Sequence, residues 1–238
     1  LGRLPKGRAE EQAADLRAAA RTANLRELAA NPLLLTTMAI VHQREVGLPR
    51  ERVRLYALAV GVLLDRWQRH KGIGVSPRLA EVLKDERKLR TVLERVAYDA
   101  HRQLHSQPPR PAAGPGQDDL MQGDLLRRDL LALLEQPAYL GDAGLASEFL
   151  DYVDQRAGLL IGRGGSDGQD SGTQPQSYAF PHRTFQEYLA GCYLLAGRGV
   201  GRTYREHAAE GDYWYLAGQL GAEELLYNRR RPEELLDL

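Results

Sequence analysis

PHRTFQEYLAG, residues 181–191, decides how the rest of the chain reads. It follows a short extended segment, SYAF, and leads into an apolar run. Phe185, Tyr188, Leu189, Cys192 and Ala196 recur at spacings of three and four, which predicts one face of a helix. His182 falls in the first turn, where unpaired backbone N–H groups and the positive end of the helix dipole favour an anion. Two roles fit it: contact to an anion, or a polar cap on a core at a strand–helix junction.

Upstream, the chain reads as helices. Residues 10–30 are Ala-rich, with Leu16, Leu25 and Leu28 as anchors, and Thr22 to Asn24 mark a possible break. Asn31–Pro32 is a boundary, because Asn is a strong N-cap and Pro is best tolerated at the first helical position. LLLTTMAIVHQREV is then a new helix, ended by Gly47. Residues 50–70 carry the clearest amphipathic stripe, Val53, Tyr56, Val60, Leu63, Leu64 and Trp67. Ser76–Pro77 restarts the pattern, and one long apolar-periodic segment runs from Leu79 through Val82, Leu89, Val92 and Val96 to Leu104.

SQPPRPAAGPGQ, residues 106–117, is too rich in Pro and Gly for a regular element and is expected to be mobile over 108–116. Residues 123–135 are predicted helical through their leucines, and Ser147 is predicted to cap EFLDYVDQRA. GLLIGR and QSYAF, joined by a turn-rich connector, give the β signal: two strands at about 159–163 and 177–181, with a mobile tip over 164–174. Helices followed by such a pair outline a winged helix. The tail is predicted helical through Tyr213, Trp214, Leu216 and Leu220, and again over 232–238.

Composition excludes several classes. The chain has 238 residues with 32 basic against 32 acidic side chains, a balance that argues against coating nucleic acid. The single Cys192 excludes an internal disulfide, fits a reducing compartment and reads as a small buried hydrophobe. No run is long enough to cross a bilayer, and a cytoplasmic location is expected. The start, LGRLPKGR, lacks a methionine, and the expectation is a piece from the middle of a longer polypeptide. No GxxxxGK[ST] occurs, so the chain is not expected to bind ATP through a P-loop of its own. His101 and His105 share a helix face but lack the HExxH pattern of a metal site. The helix before the wing carries Glu148, Asp151 and Asp154 against Arg156, a charge that suits packing better than DNA.

NPLLLTTMAIVHQ (residues 31–43) and YAFPHRTFQEYLAG (residues 178–191) together resemble the NACHT-type signal-transduction ATPases. That class includes bacterial defence NTPases and the NOD-like receptors of animal innate immunity. LPRERVRLYALAVGVLLDRW resembles the helix that follows the NPL segment, and DYVDQRAGLLIGR resembles the entry to the wing. Order and spacing of all four pieces agree over about residues 20–220. Pro181 directly before the histidine is a departure, at a position where the family tolerates many residues.

The resemblance implies a mainly α fold: helical domain one over 1–72, a span with room for the end of a nucleotide-binding core, a winged-helix domain with a small two-stranded β-hairpin over 73–196, and the start of a second helical or sensor region over 197–238. It implies that Pro32 packs on the adenine ring and His182 reaches the β-phosphate of bound ADP. Glu187 is read as a helix-surface or interdomain polar contact, not a general base. ADP, or ATP with Mg²⁺, would be bound in the full-length parent ATPase; the piece itself would have no catalytic residue or metal site and would hold nucleotide only weakly. The implied partners are an upstream P-loop core, a C-terminal sensor region and further copies in the activated state, with neither direct DNA binding nor a membrane. The alternative is a freestanding helical or winged-helix module that binds protein or DNA.

Overall fold

The computed structural model describes residues 6–21, 25, 26, 29, 32–44, 48, 49, 51–69, 75–106, 124–155, 160–164, 174–180, 182–196 and 200–237. The helices are α1 (Lys6–Ala20), α2 (Pro32–Arg44), α3 (Arg52–Arg69), α4 (Pro77–Lys84), α5 (Glu86–Ser106), α6 (Arg127–Leu134), α7 (Ala143–Gln155), α8 (Arg183–Leu194), α9 (Val200–Ala208) and α10 (Tyr215–Glu223). Strands β1 (Leu125–Leu126), β2 (Ile161–Arg163) and β3 (Ser177–Ala179) form one small sheet. A 3₁₀ turn (Asp212–Trp214) precedes α10, and a π-helical turn (Glu224–Arg229) and a second 3₁₀ turn (Pro232–Asp237) follow it.

Capping chemistry sets the boundaries. Ser76 is extended and its Oγ accepts from the Leu79 amide at 3.2 Å, while Pro77 occupies the first helical position of α4. The long segment expected from residue 79 to 104 is two helices, because Asp85 leaves the helical region at φ −90°, ψ 90°. Its carboxylate then accepts from the Lys88 amide at 3.0 Å and opens α5. Periodicity carries across such a break unaltered: Leu79, Val82, Leu83, Leu89, Val92, Leu93 and Val96 are all buried.

Helix α7 begins earlier than Ser147. Gly141, at φ 73°, reverses the chain, and the Asp142 carboxylate accepts from the Leu145 amide at 2.8 Å. Ser147 therefore lies inside the helix, where its hydroxyl accepts from Arg127 Nη2 at 2.9 Å.

The winged-helix outline is present with one strand more than expected. The order is β1-β3-β2, all antiparallel, with Leu125 opposite Tyr178 and Ile161 opposite Ala179. Leu125 and Leu126 fall in a segment predicted helical; two residues of strand are too short to register as an alternating pattern. They pair because Tyr178 lies buried in the middle strand and Leu125 closes over the same core. The mobile loops expected at 108–116 and over most of 164–174 lie outside the described residues.

Helix α8 is central, packed between α5 and α10. Tyr56 of α3 stacks on Tyr188 at 5.4 Å and meets Phe185 edge-on at 5.6 Å. All three rings are buried. Aromatic pairs of this geometry contribute about 0.5–1.5 kcal/mol beyond their burial, which anchors α3 to the helix that begins at His182.

Candidate functional site

Strand β3 and the buried Phe180 deliver the chain to His182, which is the N-cap of α8 with extended φ −146° and ψ 131°. Its side chain is half-buried. Nδ1 lies 3.3 Å from the Thr184 amide and also bonds the Thr184 hydroxyl. A backbone N–H can only donate, so Nδ1 is the accepting nitrogen and the ring proton sits on Nε2. Burial holds the imidazole below its ordinary pKa and favours the neutral ring. The result is an uncharged Nε2–H donor at a helix N-terminus, with no hydrogen bond to Nε2 among the described residues.

The next turn is braced from within. Arg183 Nε donates to Glu187 Oε1 at 2.9 Å, and its guanidinium lies 5.7 Å from the centre of the Tyr213 ring. Glu187, expected at a surface or an interdomain contact, is buried; desolvation raises its carboxyl pKa and Arg183 partly offsets this. Pro32 is the first residue of α2, and its side chain lies outside the described residues.

Two polar clusters that sequence reasoning missed surround α5, and the first of them fixes α8 in place. Arg90 donates to Glu94 (2.9 Å), to the Tyr188 hydroxyl (2.9 Å) and to Glu224 (3.0 Å). Tyr188 donates to the other oxygen of Glu224 at 2.8 Å, and Arg229 lies 3.5 Å from both carboxylates. Two buried acids thus meet two arginines from α5 and the π-helical turn. Cys192 lies beside this cluster with its thiol pKa pushed up by burial, which keeps it protonated and unreactive. No spacing in the sequence relates Glu94 to Glu224, so only folding brings them together.

The second cluster gathers His101 and His105, which share one face of α5, around the aromatic rings of the tail. Both imidazoles stack on the ring of Tyr213, at 4.3 and 4.8 Å, and His101 meets Trp214 edge-on at 4.5 Å. His207 stacks on Trp214 at 3.9 Å and bonds the Tyr98 hydroxyl at 2.8 Å and Glu210 at 3.1 Å. Among the described residues, no three His, Cys, Asp or Glu side chains gather as a metal site. No described helix is long and apolar enough to cross a membrane.

Two acids of α7, Glu148 and Asp151, are also paired within the chain. Glu148 accepts from the amide and the hydroxyl of Ser76 at 2.5 and 2.6 Å. Asp151 accepts from Arg127 at 2.9 Å, and the same guanidinium reaches the Tyr178 hydroxyl at 2.7 Å. In DNA-reading winged helices the corresponding helix enters the major groove; here Glu148 ties it to Ser76, the N-cap of α4, and Asp151 ties it to Arg127 of α6.

A helix, a short strand, two helices and a β-hairpin, in that order, make residues 86–179 a winged helix-turn-helix domain. Residues 52–194, more than half of the chain, match the family described as the winged helix-turn-helix domain C-terminal to NACHT, and the chain belongs to that family. Neither the curated proteins nor the solved structures gave a match.

Proposed function

We propose that this chain is the regulatory helical and winged-helix module of a NACHT-type NTPase switch, coupling the ADP or ATP state of an upstream P-loop core to opening and oligomerisation. The observation that carries the proposal is His182, a neutral donor with its proton on Nε2 at the first turn of α8. Such a group suits a phosphate oxygen, and the exposed end of a helix adds a favourable field. In the parent, bound ADP would supply the charged phosphate; the chain's own part is to hold His182 in place and Pro32 near the base. ATP with Mg²⁺, a C-terminal sensor region and further copies of the chain complete the proposed switch. The internal use of Glu148 and Asp151 favours this reading over a DNA-binding module, since it makes α7 a packing element.

The test is His182→Ala in the full-length parent, beside Phe185→Ala as control. A hydrogen bond to a charged acceptor contributes about 1.5–3 kcal/mol, so ADP should leave roughly tenfold to a hundredfold faster, with more oligomer before stimulation. Thermal melts of the present chain should show a loss of about 1 kcal/mol for the cap in His182→Ala. Phe185 is fully buried, and its truncation should cost about 3–5 kcal/mol. An unchanged ADP off-rate, or a His182→Ala melt as low as that of Phe185→Ala, would make the histidine a core group instead.

A further inference from the structure

We infer that Tyr213 is a positioning residue for the histidine site: acting through Arg183, it keeps the first turn of α8, and His182 with it, from fraying. The inference rests on the proposed phosphate contact for its purpose, while its mechanism stands on geometry. Arg183 is the first residue of α8, and no acid occupies that turn. A cation there opposes the helix dipole, and an Arg four residues before a Glu is the weaker order of such a pair. Local chemistry therefore disfavours Arg183 where it stands. Tertiary contacts reverse the balance. The carboxylate of the buried Glu187 accepts from its Nε at 2.9 Å, and the ring of Tyr213 lies 5.7 Å from its guanidinium carbon.

Tyr213 is itself fixed. Its hydroxyl donates to the His101 carbonyl oxygen at 2.9 Å, and the imidazoles of His101 and His105 stack on its ring. The mostly exposed Arg183 side chain is thus tied through the tail to α5. The bonds at stake run from the amides of Phe185 and Gln186 to the His182 carbonyl oxygen, at 3.1 and 3.4 Å, and close the first turn. Without the ring, that turn begins on a cation facing the wrong end of the dipole, and it opens more often. In the proposed switch the tail leads toward the sensor region, so displacement of Tyr213 reaches His182 with no contact to nucleotide.

The test is native-state amide hydrogen exchange of the 238-residue chain, read residue by residue by NMR. Tyr213→Leu should speed exchange at Phe185 and Gln186 about twofold to fivefold, the range of a part-exposed cation–π contact. Leu189 and Cys192, deeper in α8, should stay near native, and Tyr213→Phe, which keeps the ring, should exchange as native throughout. In an Arg183→Gln background, Tyr213→Leu should add nothing. Unchanged rates in Tyr213→Leu, equal acceleration along all of α8, or the same acceleration with and without Arg183 would each overturn the inference. In the full-length parent, Tyr213→Leu should speed ADP release by a similar factor and Tyr213→Phe should not. If His182→Ala speeds release while Tyr213→Leu alters neither exchange nor release, the positioning role fails and the phosphate contact stands. It fails equally if Tyr213→Leu loosens the turn but only His182→Ala speeds release, because the histidine then does not depend on the brace. If the turn loosens as expected and neither variant alters release, the phosphate contact fails and the brace on the turn stands.

Discussion

Gly191 of α8 and Gly221 of α10 meet backbone to backbone, with no room for a side chain on either. A Cβ on Gly191 would lie 2.0 Å from the Ala217 carbonyl oxygen, and one on Gly221 would lie 2.4 Å from the Gly191 carbonyl oxygen. The two helices can therefore approach more closely than any larger residue permits, and the segment after α8 is joined to the helix that begins at His182.

Gly191→Ala should accordingly destabilise the chain by about 3 kcal/mol or more, since the obstacle is backbone and cannot swing aside. Gly61 is the contrast. It lies inside α3 with nothing within 4 Å of a Cβ, so Gly61→Ala should stabilise by about 0.5–1 kcal/mol through helix propensity. Urea unfolding of the two variants would show opposite shifts in midpoint. A Gly191→Ala protein as stable as native would mean that α8 and α10 can part freely.

Glu224 predicts a second large effect. Its carboxylate is 3 % exposed and is bonded by Arg90, Tyr188 and Asn228. Glu224→Ala would leave Arg90 short of a partner in a buried setting, and breaking such a pair costs about 3–5 kcal/mol. Glu223, next in sequence, pairs with Arg52 at 2.8 Å where both side chains are partly exposed. Glu223→Ala should cost about 1 kcal/mol or less. Denaturant titration of the two single variants measures the difference, and equal losses would refute the internal role assigned to Glu224.

Acid should weaken the fold through His101. The ring is buried, Nδ1 has no partner among the described residues, and Nε2 lies 3.4 Å from the Tyr213 carbonyl oxygen. Desolvation pushes its pKa down to about 4, with Arg183, His105 and His207 acting in the same sense and the Tyr213 carbonyl opposing. Between about pH 6.5 and 4 the unfolded chain then binds a proton that the native chain does not, so stability falls as pH falls through that window. His182, also depressed by burial, adds to the loss. Glu94 and Glu187, raised mainly by burial, oppose it because they gain protons more readily in the native state. One unmatched proton corresponds to about 1.4 kcal/mol per pH unit. Unfolding free energies from pH 7.5 to 4.5 should therefore fall less steeply in His101→Gln than in native protein, by about 1 kcal/mol per unit. Parallel curves would show that native His101 takes up its proton.

The local features of this protein were legible as sequence. The stripe Val53, Tyr56, Val60, Leu63, Leu64 is buried as its spacing requires, because helix periodicity alone decides which side chains face inward. Ser76–Pro77 caps α4 for the same local reason: a hydroxyl three residues before an amide needs no distant partner. His182 stands at the start of α8 because the strand and helix patterns meet there. Tertiary structure decided the rest. Leu125–Leu126 is a strand only because Tyr178 lies beside it, and Ser147 lies inside α7 because Gly141 and Asp142 turn and cap the chain first. Glu187 is buried because α8 is enclosed by its neighbours, and Glu94 meets Glu224 across 130 residues only once α10 has docked on Gly191. Sequence spacing specifies which side of an element a residue occupies; the partner on that side exists only after the elements have packed.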